Sequence, residues 1–565
     1  MEAFSSIIRK ACVMGSFVGV RLPNGGPVLS HLLYADDAIV MGEWSLFNFR
    51  ALRRILRIFH LVSGLRINIQ KSILYGVGVN SEAVRVQAET LGCRSGETPF
   101  KYLGIQVGGN MGRINSWDPV VQVFKKRLTD WKARTLSMGG RLVLVKSVLE
   151  TIPSYYFSLY RALVAVINKL ESLVKRFLWG GNDEIGKVHW VAWDKVAKPK
   201  KEGGLGLSKL DICNHSMLLK WLWRFKTEEG ALWKRVIIAI HTSSRRWVVF
   251  PWNKQASGPW NKIVKLGYET KVQGVGFINM IRGTVGDSLE VRFWMDTWIS
   301  DVPLKDLFPN LFSIENNKWC KVADRIGSNS TSETILWGWK RYPSSEVEVQ
   351  ELIECHRMVA LVRLNDKKDE WRWNSASDSS FSVKEVRKWL TKTDAQVEPV
   401  VFRWCNWIPG KCNVFMWRAN LDRIPMASAL LRRNINVGAG FCYFCGECEE
   451  TTEHLFTTCI IAHGVWNAIA AWLKIPPVFI FSLKDVIQLP ESAICSSDKK
   501  KIMFGICIVT CWKIWATRNE VVFKQAKANV TKIVSDIKLF SFLWYNSRSK
   551  KDRITWKDWC MLDVT

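Results

Sequence analysis

The sequence predicts an α+β protein of several domains, and three observations carry that reading. Two short apolar runs, Val28 to Leu33 and Ala38 to Met41, flank the polar tetrapeptide Tyr34-Ala35-Asp36-Asp37, the pattern of a β-hairpin. Immediately after it, Phe49, Leu52, Ile55, Leu56, Phe59 and Val62 recur at helical spacing, with Arg50, Arg53, Arg54 and Arg57 largely on the other side. Far downstream, Cys442, Cys445, His454 and Cys459 gather ligand-type side chains within a stretch patterned as mainly helical. A chain of 565 residues can bury several cores, and 48% hydrophobic against 23% charged residues excludes wholesale disorder.

Each element follows from local chemistry. Gly64 supplies a residue that ends the first amphipathic helix. Leu65 to Ser72 alternates apolar and polar residues, which predicts a strand. Pro99 to Ile105 starts another short strand with a bend permitted at Gly104. Val121, Phe124, Leu128 and Trp131 then form one helical stripe, surrounded by the charges of Lys125, Lys126, Arg127, Lys132 and Arg134. Beyond Gly139-Gly140 a second helix runs through Leu142, Val145, Val148 and Leu149 and closes near Pro153. Residues from about Trp233 to Trp373 mix short strands and turns, Phe381 to Trp472 reads as mainly helical, and Lys499 to Trp559 reads as helices with basic ends. Gly203-Gly204-Leu205-Gly206 lacks the following Lys-Ser or Lys-Thr of a phosphate-binding loop.

Two groups of residues carry chemistry. Adjacent carboxylates at a hairpin tip are what a nucleotide polymerase needs to hold divalent metal against a primer end and an incoming triphosphate. The plainer reading of Asp36 and Asp37 is a solvated turn. Two-metal phosphoryl transfer holds its ions roughly 3.5–4 Å apart with carboxylates from separate strands, and neighbouring residues alternate faces. A further carboxylate is therefore needed; Glu43 and Asp118 are nearest in sequence, and no spacing argument sets either opposite Asp36. The second group is a Cys442-x2-Cys445 knuckle, eight residues, His454, four residues and Cys459, a spacing that suits tetrahedral zinc. Its alternative is a set of small buried hydrophobes beside an ordinary helical histidine, and Cys448 competes as a ligand without a matching knuckle partner.

Lys plus Arg number 80 against 51 for Asp plus Glu, a formal charge of +29. Such an excess favours a polyanionic partner, nucleic acid or anionic lipid, and charge alone does not choose between them. No charged n-region leads into a long apolar stretch, and the apolar run from Ile502 to Trp512 is too short to span a bilayer, so neither secretion nor membrane insertion is expected. Fifteen cysteines in that setting point to a reducing, intracellular compartment. Lys198-Pro199-Lys200-Lys201 reads as a solvated turn before Gly203 in preference to a nuclear-entry signal. Of the 30 tryptophans most are expected in cores, and a minority to stack on unpaired bases.

The order of the pieces resembles the C-terminal part of a plant non-LTR (LINE-type) retrotransposon reverse transcriptase. The likeness rests on YADD, on SGLRINIQKS at 63–72, on FKYLGI at 100–105, on the long segment from Asp130 to Ser158, and on GDSLEVRFWMDTW at 286–298 with FSVKEV at 381–386. The stretch from Cys442 through Thr452 to Phe456, with the later Val465-Trp466, resembles the zinc-binding domain of the same proteins. The resemblance implies a partial polymerase palm at 1–110, a helical thumb and its extension at 111–235, a mixed connector at 236–380, a mainly helical zinc-binding domain at 381–475 and a basic helical tail at 476–565. It implies Asp36 and Asp37 as magnesium ligands if the polymerase site is active, Lys71 near the incoming nucleotide, and Phe100, Tyr102, Leu103 and Gly104 supporting the primer end. On the two thumb helices Lys125, Arg127, Trp131, Lys132 and Arg141 would contact an RNA and DNA template–primer, the alternative being an ordinary solvated charged face. Cys442, Cys445, His454 and Cys459 would hold a structural zinc.

The family also places an aspartate on an earlier palm strand and a fingers domain ahead of this segment. Neither is found in the sequence, so the expectation is a truncated RNA-directed DNA polymerase, catalytically impaired unless a partner chain supplies the missing palm and fingers. The alternative is a noncatalytic zinc-containing nucleic-acid-binding protein derived from the same element. A working retroelement protein would act in the nucleus.

Overall fold

The computed structural model describes residues 1–128, 135–180, 188–242, 249–329, 332–374, 380–392, 401–476, 479–549 and 553–562, with backbone only at 328–329 and 332–334. The chain divides into two compact units. One comprises Met1–Trp117, Ser154–Leu163 and Asp211–Asp394; the other comprises Asp118–Pro153, Val164–Leu210 and Ala395–Thr565. The fold is α+β, with helices dominant: among the described residues every sheet is two-stranded.

In the first unit, the helices Glu2–Val13 and Leu46–Ser63 bury Phe4, Ile8, Ala51, Ile55 and Phe59 in a small core with Phe17. Ser45 caps the second helix by accepting from the Asn48 amide, and Gly64 ends it at φ 69°, as its position in the sequence implies. Asn48 is buried inside that helix, where it bonds both the amide and the carbonyl of Val18 at 2.8 Å and the carbonyl of Glu43 at 2.9 Å. It fixes the loops on either side of the hairpin His31–Tyr34 and Asp37–Val40, whose register pairs Tyr34 with Asp37.

The strand expected over 65–72 does not form. Asn68 accepts from the Lys71 amide at 3.0 Å and turns Ile69–Lys71 into a 3₁₀ helix, a side chain outcompeting the ladder. Pairing begins only at Ile73–Tyr75, which runs parallel to Arg94–Gly96 across the intervening helix Ser81–Leu91. Tyr75 stacks on Phe100 at 4.1 Å, which joins this pair to the hairpin Phe100–Tyr102 and Ile105–Val107.

The rest of the first unit encloses a core rich in aromatic side chains, including Trp260, Trp294, Trp298, Trp373 and Trp389. The motif at 286–298 organises it. Asp369 accepts from four backbone amides, Gly286, Ser288, Glu290 and Val291, at 2.7–3.0 Å. Burial opposes its charge, yet those four donors outweigh the cost and hold the carboxyl below its ordinary range. Asp296 takes a 2.5 Å bond from buried Lys226, whose amine burial pushes down to about 8, while Trp294 donates to buried Glu315 at 2.9 Å.

The second unit is built on helices. Asp118–Arg127 buries Val120, Val121 and Phe124 and packs on Val164–Trp179. Met138–Leu144 continues as a π turn, Val145–Leu149. It crosses Gly410–Asn420 at Gly139, where a Cβ would stand 2.8 Å from the Lys411 amide nitrogen. The apolar run that was too short for a bilayer is the buried middle of the helix Ser497–Lys524. Against it, Gly505 admits the Trp407 ring so closely that a Cβ would overlap it. Val530–Arg548 packs alongside, and Trp472 donates to the Trp559 carbonyl at 3.0 Å. Tail and zinc region therefore share one core. Of the tryptophans around the thumb segment and ahead of the metal ligands, Trp179, Trp407 and Trp417 are buried, Trp190, Trp193, Trp221, Trp223 and Trp404 are half-buried, and Trp131 lies outside the described residues.

Candidate metal centre

The ligand loop lies between two helical stretches of the second unit. After Gly440, at φ 78°, the chain makes a knuckle in which Gly446 donates to the Cys442 carbonyl at 2.8 Å and Cys442 donates to the Cys448 carbonyl at 2.7 Å. These two bonds turn Cys442 and Cys445 toward the same point. His454 opens a π turn, His454–Thr458, and Cys459 follows as the cap of Ile460–Leu473. The wider turn carries the chain from one ligand to the next within five residues.

The ligand atoms of Cys442, Cys445, His454 and Cys459 all lie within 4.8 Å of one another. Cys442 Sγ stands 3.9 Å from Cys459 Sγ, and Cys445 Sγ stands 3.3 Å from His454 Nε2. Thiolates on a tetrahedral zinc, each ~2.3 Å from the ion, are roughly 3.8 Å apart, so the donor set has the size of a zinc tetrahedron. All four are protein ligands and leave no open position, which suits a structural ion. Contact with Cys459 and burial raise the Cys442 thiol, and burial lowers the His454 imidazole, which favours the neutral form that a metal requires. Thr458 Oγ1 lies 3.2 Å from His454 Nδ1 and orients the ring from behind. Cys448 is exposed and lies outside the set; it contributes its carbonyl to the knuckle instead.

A buried ion pair braces the loop. Arg518 donates from Nε and Nη2 to the two oxygens of Glu450 at 2.7 and 2.6 Å, and the Ala427 amide adds a bond of 2.8 Å to the same carboxylate. The Arg518 guanidinium also lies 5.1 Å from the ring centres of Tyr443 and Trp515. Glu450 and Arg518 were not legible as a pair, being 68 residues apart.

The residues of the candidate polymerase hairpin come together less completely. Asp36 and Asp37 are both exposed, at a turn whose Ala35 is strained at φ 52°. Burial, with the charge of Asp37 and the neighbouring Tyr155, raises the Tyr102 phenol. Leu103 and Gly104 form the tip of the second hairpin at φ 47° and 82°, and Tyr156 holds it by donating to the Gly104 carbonyl at 3.1 Å. Phe100 is stacked and half-buried, and Lys71 is exposed on its 3₁₀ turn. Among the described residues no third carboxylate, imidazole or thiol joins Asp36 and Asp37 in a metal-sized group. Glu43 is exposed, and Asp118 belongs to the other unit, where it faces Lys169 at 3.8 Å. Lys125 and Arg127 are exposed on their helix, Lys132 lies outside the described residues, and Arg141 is half-buried.

Residues 381–466, which include all four ligands, match the family described as zinc-binding in reverse transcriptase. The matched stretch begins in the last residues of the first unit, and all four ligands lie in the second. An Arabidopsis thaliana protein whose name assigns it provisionally to ribonuclease H is 26% identical over 427 residues, 72% of this chain and 65% of the relative. The chain spans just under two thirds of that relative's length. An uncharacterized mitochondrial protein of Arabidopsis thaliana is 29% identical over 158 residues, 28% of this chain and 98% of the relative. These matches support a relation between the chain and reverse-transcriptase proteins, carried by the stretch 381–466. Among the described residues no helix is long and apolar enough to cross a membrane.

Proposed function

We propose that the chain is the zinc-stabilised, nucleic-acid-binding part of a LINE-type (non-LTR) reverse transcriptase, holding an RNA and DNA template–primer. The convergence of Cys442, Cys445, His454 and Cys459 within the matched stretch is the observation that carries this reading. A net charge of +29 supplies the attraction to phosphate, and the five-part division into palm, thumb, connector, zinc domain and tail describes how the chain would be used. In this reading zinc supplies shape alone, while Asp36 and Asp37 present two of the carboxylates that magnesium needs. Polymerisation then requires a further carboxylate from another segment or a partner chain, so this chain alone extends primers poorly. Retroelement use would place it in the nucleus.

The second reading, a noncatalytic zinc-containing nucleic-acid-binding protein, is favoured by the lack of a third ligand beside Asp36 and Asp37 among the described residues. RNA-templated primer extension with magnesium, by the full chain and by its Asp36→Ala/Asp37→Ala variant, separates the two. Extension lost in the variant makes the chain a polymerase. Equal template–primer binding by both proteins, with no extension by either, leaves the noncatalytic reading. Failure of both proteins to bind template–primer would overturn the proposal.

A further inference from the structure

Among the described residues, a cluster of arginines in the second unit has none of the acidic partners that arginines within a fold ordinarily have. Arg141 is half-buried near the start of the helix Met138–Leu144, and its Nε is buried with no hydrogen-bond partner. Its guanidinium lies against Gly180, so closely that a Cβ there would stand 2.1 Å from Nη1; Gly180, at φ 78°, follows the helix Val164–Trp179. That helix end offers partial negative charge from its carbonyls and no carboxylate. Burial lowers the Arg141 guanidinium from its ordinary value.

Arg418 is its neighbour. Burial and the charge of Arg141 together lower the Arg418 guanidinium to about 10, which still leaves both side chains charged at neutral pH. Arg418 donates from Nε to the Arg423 carbonyl at 3.0 Å and lies 5.5 Å from the Trp179 ring centre and 5.6 Å from that of Trp190. Arg433 lies 4.5 Å from the same Trp190 ring and donates to the Ala429 carbonyl at 2.9 Å. Among the described residues no carboxylate pairs with Arg141, Arg418 or Arg433. Two indoles thus lie against the guanidinium groups of Arg418 and Arg433, whose charges meet no carboxylate among the described residues.

Partly buried like charges cost stability unless an anion completes them. Flat guanidinium forks positioned by aromatic faces match the oxygens of a phosphodiester. We propose that Arg141, Arg418 and Arg433, braced by Trp179 and Trp190, form a binding site for the backbone phosphates of the nucleic acid that the chain holds. The inference rests on the nucleic-acid reading above and adds to it a place. Gly180 is part of the site, because any side chain there would displace the Arg141 fork.

The test is equilibrium binding of a fluorescein-labelled RNA–DNA template–primer to the full, zinc-loaded chain across a salt series, with inorganic tripolyphosphate as competitor. Arg141→Gln should weaken binding roughly three- to tenfold and reduce the slope of log K against log salt by about one. Arg141→Lys, which keeps charge without the fork, should fall between the two. Removing an unpaired cation should leave thermal stability and zinc content equal or higher, which separates a binding role from a structural one. Unchanged affinity and slope in Arg141→Gln, with the parent chain binding normally, would overturn this site and leave the proposed function standing. No binding by the parent chain would overturn both. Displacement of the template–primer by tripolyphosphate at equal phosphate concentration would assign the site to free polyphosphate and overturn the nucleic-acid assignment.

Discussion

The zinc loop and the Asp36-Asp37 hairpin are both short acidic or sulfur-bearing motifs that chemistry associates with metal, and they differ in where their ligands originate. All four ligands of the loop come from one stretch of eighteen residues, and two backbone bonds and a π turn suffice to converge them. The hairpin presents two exposed carboxylates, and among the described residues no further ligand joins them in a metal-sized group. A locally encoded site is complete when its segment folds, whereas a site assembled from distant strands depends on everything between them.

The sharpest way to break that contrast is to remove a ligand from each. Cys459→Ser should release zinc and cost at least about 4 kcal/mol in the second unit, read by metal content and urea unfolding. Retention of stoichiometric zinc would show that Cys448 can replace it. The brace comes next: Arg518→Met, which leaves Glu450 buried and unpaired, should cost about 3–5 kcal/mol, while Glu450→Gln/Arg518→Met together should cost less than the single change. Equal costs would mean that the pair is not coupled.

A second pair of acids in the hairpin's unit sharpens the comparison. Burial and the adjacent Glu229 raise the Glu290 carboxyl to about 7 from an ordinary 4.5. The folded state therefore holds a proton that the unfolded chain has released. Its stabilising contribution is complete below about pH 4.5 and is lost as pH rises through about 7. Unfolding of the parent chain should show that loss, and Glu290→Gln should flatten the profile over this window. The smallest effect is expected at the hairpin: Asp36→Ala/Asp37→Ala should change stability by no more than about 0.5 kcal/mol and leave zinc content intact.

Sequence patterns revealed what was locally determined. The helix Leu46–Ser63 and its glycine end, the hairpin around Asp36 and Asp37 and the four zinc ligands all follow from spacing and turn chemistry within a few residues, whereas the segment read as one bent strand from Pro99 to Ile105 is the first arm and tip of a second hairpin. The alternation of Leu65 to Ser72 misled because a strand needs a partner, and Ile73–Tyr75 found its own at Arg94–Gly96 whereas the preceding residues had none. Nor could spacing reveal that Arg518 would reach Glu450, or that two indoles would collect Arg418 and Arg433, since only tertiary packing brings such residues together.

The contact between Trp472 and Trp559, together with the Arg518 brace, has a practical consequence for anyone dissecting the chain. The zinc-binding family match stops at residue 466, but the cooperative object does not. A fragment trimmed at that boundary would keep every metal ligand while losing the long helix that carries Arg518, stranding Glu450 in an apolar wall and baring the face that Ile506, Val509 and Cys511 now line. The family match and the packing draw different borders here, and the smallest stably folded piece is expected to follow the second.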